Sequence, residues 1–242
     1  MKRPATAALG LLLACGTAAA ADKTGELRAF DASYAAVFRG IDAGISQLKL
    51  EKLPDNRWSY TSRSQAQGVF RLALTGPTVQ RSLFVLHEGQ VKPLEFTSEI
   101  GIRTGDRNQT MHFDWDAGRV TGTAEGKPVN LPLEPGVLDA LSVQIAMMLK
   151  LINGQVPDHF RMIDKTKIKD YLYTHEGEET VTTALGPQHT VIFRSARAGS
   201  THGTFFWCAP SLGYVPVKVE RRDGTNVEWS MTLKTLAFGA AR

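Results

Sequence analysis

Chemistry, if the chain performs any, has few side chains to use. The stretch HFDWD (112–116) holds the densest set. His112 and Asp114 are two residues apart in what reads as a strand, so they share a face and could join an acid/base or metal site. Asp114 and Asp116 flank Trp115, and two carboxylates at a defined separation are what glycoside hydrolysis uses. Both features also have plainer readings. A strand face can carry His112 and Asp114 into water, and Asp116 stands where a turn begins, a position where aspartate bonds nearby backbone amides. Cys208, in FFWCAP with His202 nearby, has the two side chains of a thiol nucleophile and its base. Its neighbours Phe205, Phe206, Trp207 and Ala209 predict instead an apolar site that raises the thiol pKa and packs it. The six histidines fall in no His-x-His or His-Glu-x-x-His spacing, and the chain has neither a Gly-x-Ser-x-Gly elbow nor a phosphate-binding glycine loop. No catalytic residue, metal or cofactor is therefore assigned. Lys165, Lys167 and Lys169 alternate in DKTKIKD, which would put three positive charges on one strand face. Such a face could meet phospholipid or an acidic partner, or simply keep an edge strand soluble.

The elements around these residues read as short strands separated by turns. Two β-like runs flank residues 39–44, and RWSYTSRSQA (57–66) continues in strand-type residues. Hairpins are expected around Glu88-Gly89, Asp116-Ala117-Gly118, Glu125-Gly126-Lys127, Glu176-Gly177 and Asp223-Gly224. Residues 68–74 fit a short helix. This density of strand and turn predicts an antiparallel meander.

One segment departs from the pattern. GVLDALSVQIAMMLKLI (136–152), stopped by Asn153-Gly154, predicts a helix over about 136–153. Its apolar residues cover nearly the whole circumference, so it is expected buried against or inside a strongly curved sheet. At ~1.5 Å per residue it is too short to span a bilayer, and Asp139 and Lys150 interrupt it. The fold class expected is mainly β with one buried helix, as a curved antiparallel sheet or open β-barrel. Leu141, Ile145, Met147 and Met148 are the candidate lining of an apolar cavity, since methionine adapts to varied apolar shapes. The alternative is that the helix simply fills the barrel.

The stretches FDWDAGRVTG, PLEPGVLDALSVQ and FFWCAPSLGYVPVKVERRDG resemble a family of exported bacterial proteins known as a domain of unknown function. The resemblance extends from about Ala32 to the last strand. It implies an exported β-rich domain without an assigned activity. By analogy of fold it is similar to the open β-barrels with internal helices of the LolA and LolB type of periplasmic lipoprotein carrier, an analogy that does not itself give function.

The first 21 residues read as an export signal: Lys2 and Arg3, an apolar run from Ala5 to Ala14, and Ala19-x-Ala21 before Asp22. Residues 22–242 would then be a single β-rich domain in the periplasm. Cys15, behind Leu12-Leu13-Ala14, offers the alternative of a lipid anchor. Loss of the signal leaves Cys208 without an intramolecular partner. It also lowers the formal charge from +4 to +2, because the signal holds Lys2 and Arg3 and no acid. That balance is no footprint of nucleic-acid binding, and no transmembrane span is expected. The function expected is non-enzymatic: binding or presenting a lipid or lipoprotein acyl chain in the cell envelope. The alternatives are an interaction module with an envelope protein partner, and a hydrolase on envelope polysaccharide or peptide.

Overall fold

The computed structural model describes residues 26–102 and 107–239. The export signal and Cys15 lie outside the described residues. The first half of the chain forms β1 (Phe30–Phe38), β2 (Ile41–Lys52), β3 (Arg57–Ala66), β4 (Thr78–His87), β5 (Gln90–Glu99), β6 (Gln109–Asp114), β7 (Arg119–Ala124) and β8 (Lys127–Pro132). A two-residue strand β9 (Val137–Leu138) then leads into helix α1 (Ser142–Ile152). The second half forms β10 (His159–Asp164), β11 (Lys167–Thr183), β12 (Gly186–Ala196), β13 (His202–Ala209), β14 (Val215–Asp223) and β15 (Asn226–Phe238).

All the strands belong to one sheet, ordered β8-β7-β6-β5-β4-β3-β2-β1-β15-β14-β13-β12-β11-β10-β9. Every neighbouring pair is a sequence neighbour except β1 and β15, which join the two meanders at the centre with Phe30 opposite Phe238 and Phe38 opposite Trp229. Pairing is antiparallel throughout, apart from the short parallel contact of β9 with β10. The sheet curls without closing. Side chains bring its two wings together: Lys165 at the β10–β11 turn lies 2.8 Å from Glu125 at the β7–β8 turn, and Arg161 on β10 pairs with Glu134 beyond β8. The expected curved antiparallel sheet with one buried helix is the fold observed.

Strand alternation explains the core. Phe30, Ala32 and Tyr34 of β1, Leu48 and Leu50 of β2, Trp58 and Tyr60 of β3 and Phe84 of β4 all face the concave side and are buried. Helix α1 fills much of that side, with Ile145, Met147 and Met148 fully enclosed.

Four local expectations are corrected. The helix begins at Ser142, not Gly136, because Val137 and Leu138 pair with Arg161 and Met162 and Asp139 then caps the helix. The β10–β11 turn is Lys165-Thr166, with Lys165 at φ 59°. Glu176-Gly177 is a bulge inside the long β11, where the pairing shifts and Gly177 takes φ 116°. Lys165 is thus in a turn and does not share a strand face with Lys167 and Lys169. The last hairpin turns at Gly224-Thr225, one residue later than expected. The expected short helix after β3 is present as a 3₁₀ turn over Gly68–Leu72.

Candidate functional site

A cavity of about 820 Å³ opens at one end of the curved sheet. A gradient of side-chain size along the strands produces it. On the concave face of β3 the order is Trp58, Tyr60, Ser62, Ser64, and the last two line the cavity. On β2 it runs from Leu50 through Leu48 and Ser46 to Gly44, and on β4 from Phe84 through Ser82 to Gln80 and Thr78. Large rings fill one end of the interior, whereas hydroxyls and glycine leave the other end open. Gly44 belongs to this design. A Cβ there would lie 2.0 Å from the Gln65 carbonyl oxygen, so no other residue lets β2 and β3 approach this closely at the mouth.

Apolar groups dominate the walls, among them Leu48, Leu141, Val143, Met162, Phe206 and Met231. Hydroxyls stand between them, and two of these, Ser46 and Ser64, share a hydrogen bond of 2.7 Å. Gln144 projects from α1 into this wall, and its buried Nε2 has no partner among the described residues. At the rim, Phe38 and Ile45 are exposed. The 3₁₀ turn after β3 places Phe70 on the cavity while its Val69 and Leu72 face outward, 65% and 87% exposed, so this segment is apolar on both sides. Exposed apolar groups gathered around an opening are uncommon on a protein that binds nothing there.

Charge is confined to one wall. Asp164, Arg197, His202 and Arg221 line the mouth from the β10–β14 side. Asp164 pairs with Lys169, and Arg221 Nε lies 3.2 Å from Glu228. His202 lies 3.8 Å from both Asp223 and Glu228.

Asp139 sets the position of α1. Fully buried, its Oδ1 accepts the backbone N–H groups of Leu141 and Ser142, each at 2.8 Å, while Ser142 Oγ accepts the N–H of Asp139 at 3.0 Å. This is a reciprocal cap. Its Oδ2 accepts the hydroxyl of Ser82 on β4 at 2.6 Å, which ties the helix start to the sheet. Burial pushes the Asp139 carboxyl above its ordinary value, and the hydrogen bonds from Ser82, Ser142 and Leu141 offset this only in part. Sequence reading registered Asp139 only as a polar interruption of the helix. The signal was present as Asp-x-x-Ser ahead of an apolar run.

Of the four candidate cavity residues, Leu141 lines the cavity. Ile145, Met147 and Met148 pack in the core and line neither it nor a second cavity of about 300 Å³, which Ala146 and Leu149 of α1 border. The hydroxyl-bearing walls on β2, β3 and β4 were not singled out from sequence, although period-two alternation in WSYTSRS carries them.

Of the other candidates, His202 lines the cavity mouth and the rest lie apart from it. All six histidines are exposed, and His112 sits 3.8 Å from Glu95 on the outer face. Asp114, rather than Asp116, bonds the turn, accepting the N–H groups of Asp116 and Ala117. Trp115 donates its indole N–H to the Pro93 carbonyl at 2.6 Å. Cys208 is fully buried, and burial holds its thiol far above its ordinary pKa. Among the described residues, no group of three His, Cys, Asp or Glu is placed to hold a metal ion, and no helix is long and apolar enough to cross a membrane.

An open, barrel-like sheet with a helix inside and a cavity at one end is the class of protein this geometry defines. Residues 30–232 match the family described as protein of unknown function (DUF3108), and the chain belongs to that family. No curated protein matches it. A β-barrel-like protein of the DUF1849 domain from Brucella abortus is similar in fold, with a TM-score of 0.57 at 11% identity over 88% of this chain and 99% of that one. MucB is similar at a TM-score of 0.38 and 10% identity, over 89% of this chain and 55% of MucB.

Proposed function

We propose that this protein is a non-enzymatic binder of an apolar ligand in the cell envelope, with a lipid or lipoprotein acyl chain seated in the large cavity. The cavity carries this reading: about 820 Å³ of mainly apolar space, opening through an apolar rim. It lies within the ~300–1,000 Å³ range of small-molecule sites, which pair apolar walls with a few polar groups. Leu141 lines the site, and Ile145, Met147 and Met148 belong to the core of the same sheet. Export fits the N-terminal signal, with cleavage near Ala21 giving a periplasmic protein and acylation of Cys15 a tethered one.

The test uses the purified mature chain. Organic extraction and mass spectrometry should recover a co-purified lipid. The neutral probe N-phenyl-1-naphthylamine should fluoresce in the cavity and be displaced by tetradecyl compounds. Ser62→Phe, which places a ring in the open half of the cavity, should weaken probe binding by at least about tenfold, worth ~1.4 kcal/mol, with an unchanged far-ultraviolet spectrum. No lipid, no probe binding and no effect of Ser62→Phe would together defeat the proposal.

A further inference from the structure

The reading above leaves the ligand's polar end open, and the charge around the mouth constrains it. Polar and charged groups are segregated: the β2–β4 wall offers hydroxyls and amides, whereas every ionisable carboxylate, imidazole and guanidinium lining the cavity stands on the β10–β14 wall. Each carboxylate there has a basic side chain beside it. Lys169 takes Asp164, and Arg221 and His202 share Glu228, with Asp223 also beside His202. Arg197 is the one charged group lining the cavity that has no ion-pair partner among the described residues. It is exposed, directly after the end of β12 at Ala196, so its guanidinium stands where buried apolar wall gives way to water. Tyr171, Asp164 and Arg221 line the same cavity as Arg197.

The start of α1 offers no competing anion site. Its first free N–H groups are already taken by Asp139, so the helix end that borders the cavity is neutralised within the protein. An unpaired guanidinium, by contrast, is a bidentate donor for a carboxylate or phosphate.

Resting on the apolar-ligand reading, the geometry points to an anionic amphiphile as the ligand: an acyl chain in the cavity and a carboxylate or phosphate head held by Arg197 at the β10–β14 rim. The head anchors the ligand and the chain supplies the burial. A neutral or cationic head on the same chain would leave Arg197 unmatched or repel it.

The test is displacement of N-phenyl-1-naphthylamine from the full mature chain by four ligands of equal chain length: tetradecanoate, tetradecyl phosphate, tetradecanol and tetradecyltrimethylammonium. The anionic pair should displace the probe at concentrations at least about tenfold lower than the other two, a difference of ~1.4 kcal/mol. Tetradecanoate against tetradecyl phosphate separates a free fatty acid from a phosphorylated lipid as the source of the head. Arg197→Gln should abolish the anionic preference, bringing tetradecanoate and tetradecyl phosphate to the displacement concentration of tetradecanol, and its far-ultraviolet spectrum should match that of the wild type. Equal displacement by all four heads, or a preference that survives Arg197→Gln, overturns the anionic assignment and leaves the apolar-ligand reading standing. Failure of the probe to bind or of any tetradecyl ligand to displace it defeats the apolar-ligand reading, and this assignment with it.

Discussion

Asp139 is the residue at which the fold is most open to a decisive perturbation. Replacing it with alanine removes two N–H acceptors at the start of α1 and strands the Ser82 hydroxyl, which is fully buried. Loss of a helix cap costs ~0.5–2 kcal/mol, and a stranded buried polar group adds ~1–3 kcal/mol. Asp139→Ala should therefore lose about 1.5–5 kcal/mol. Asp139→Asn keeps an acceptor for Leu141 and Ser142, can donate its amide to Ser82, and carries no charge. Because burial raises the native carboxyl, ionisation of Asp139 costs the folded state more than the unfolded one. A group raised in this way gives its full contribution below its unfolded-state pKa and loses it as pH rises through the folded value. The asparagine variant has no such loss. It should equal wild type at acidic pH and gain on it as pH rises to neutral, while other carboxylates cancel in the comparison. Urea unfolding followed by tryptophan fluorescence, with the slope against denaturant checked for constancy, measures all three proteins at acidic and neutral pH. A loss in Asp139→Asn as large as that in Asp139→Ala at neutral pH would refute the buried-charge argument. So would a gap between Asp139→Asn and wild type that does not change with pH.

Two further predictions concern groups away from the cavity. Cys208, enclosed and held as a thiol, should resist a disulfide reagent in the native protein and react stoichiometrically in urea; reaction at native conditions on the timescale of a free thiol would refute the burial. Glu220 is nearly buried on β14 between Lys218 Nζ at 2.7 Å and Arg222 Nε at 2.7 Å. Burial pushes its carboxyl up, but the hydrogen bonds and charges of the two cations outweigh this and leave it below the ordinary value. A depressed carboxyl contributes stability above its unfolded-state pKa and loses it as pH falls through the folded value. Glu220→Ala should thus cost on the order of 3 kcal/mol at neutral pH and less in acid, read by the same urea titrations; a pH-independent cost would refute the ion-pair account.

Legibility in the sequence follows from how local each signal is. Turns marked by glycine, such as Glu88-Gly89 and Glu125-Gly126, were readable because a positive φ selects that residue. The same cue misplaced a turn at Glu176-Gly177, since a bulge asks the same of its glycine, and the actual turn hides behind Lys165, which adopts φ 59° without one. The apolar helix was readable as an element but not in its start. Gly136 to Leu138 are as apolar as the helix itself, and only the parallel partner β10, more than twenty residues on, makes two of them a strand. The joining of β1 to β15 lies beyond any local cue, being a pairing across nearly the whole chain.

The cavity shows the same division in a more consequential form. Period-two alternation assigns Trp58, Tyr60, Ser62 and Ser64 to one face, and that much is local. That Ser62 and Ser64 border open space, and not a packed neighbour, depends on β2 and β4 also shrinking toward the same end, from Leu50 to Gly44 and from Phe84 to Thr78. Three antiparallel strands must therefore taper in opposite sequence directions for the gaps to coincide. Any one strand read alone is an ordinary strand with a few serines. The coincidence makes the cavity: a strand whose hydroxyls served only solubility would place them on the outer face, where Ser62 and Ser64 do not lie. The size gradient across three strands, more than the methionines of the helix, is thus the sequence feature that makes the cavity on which the proposed ligand binding rests.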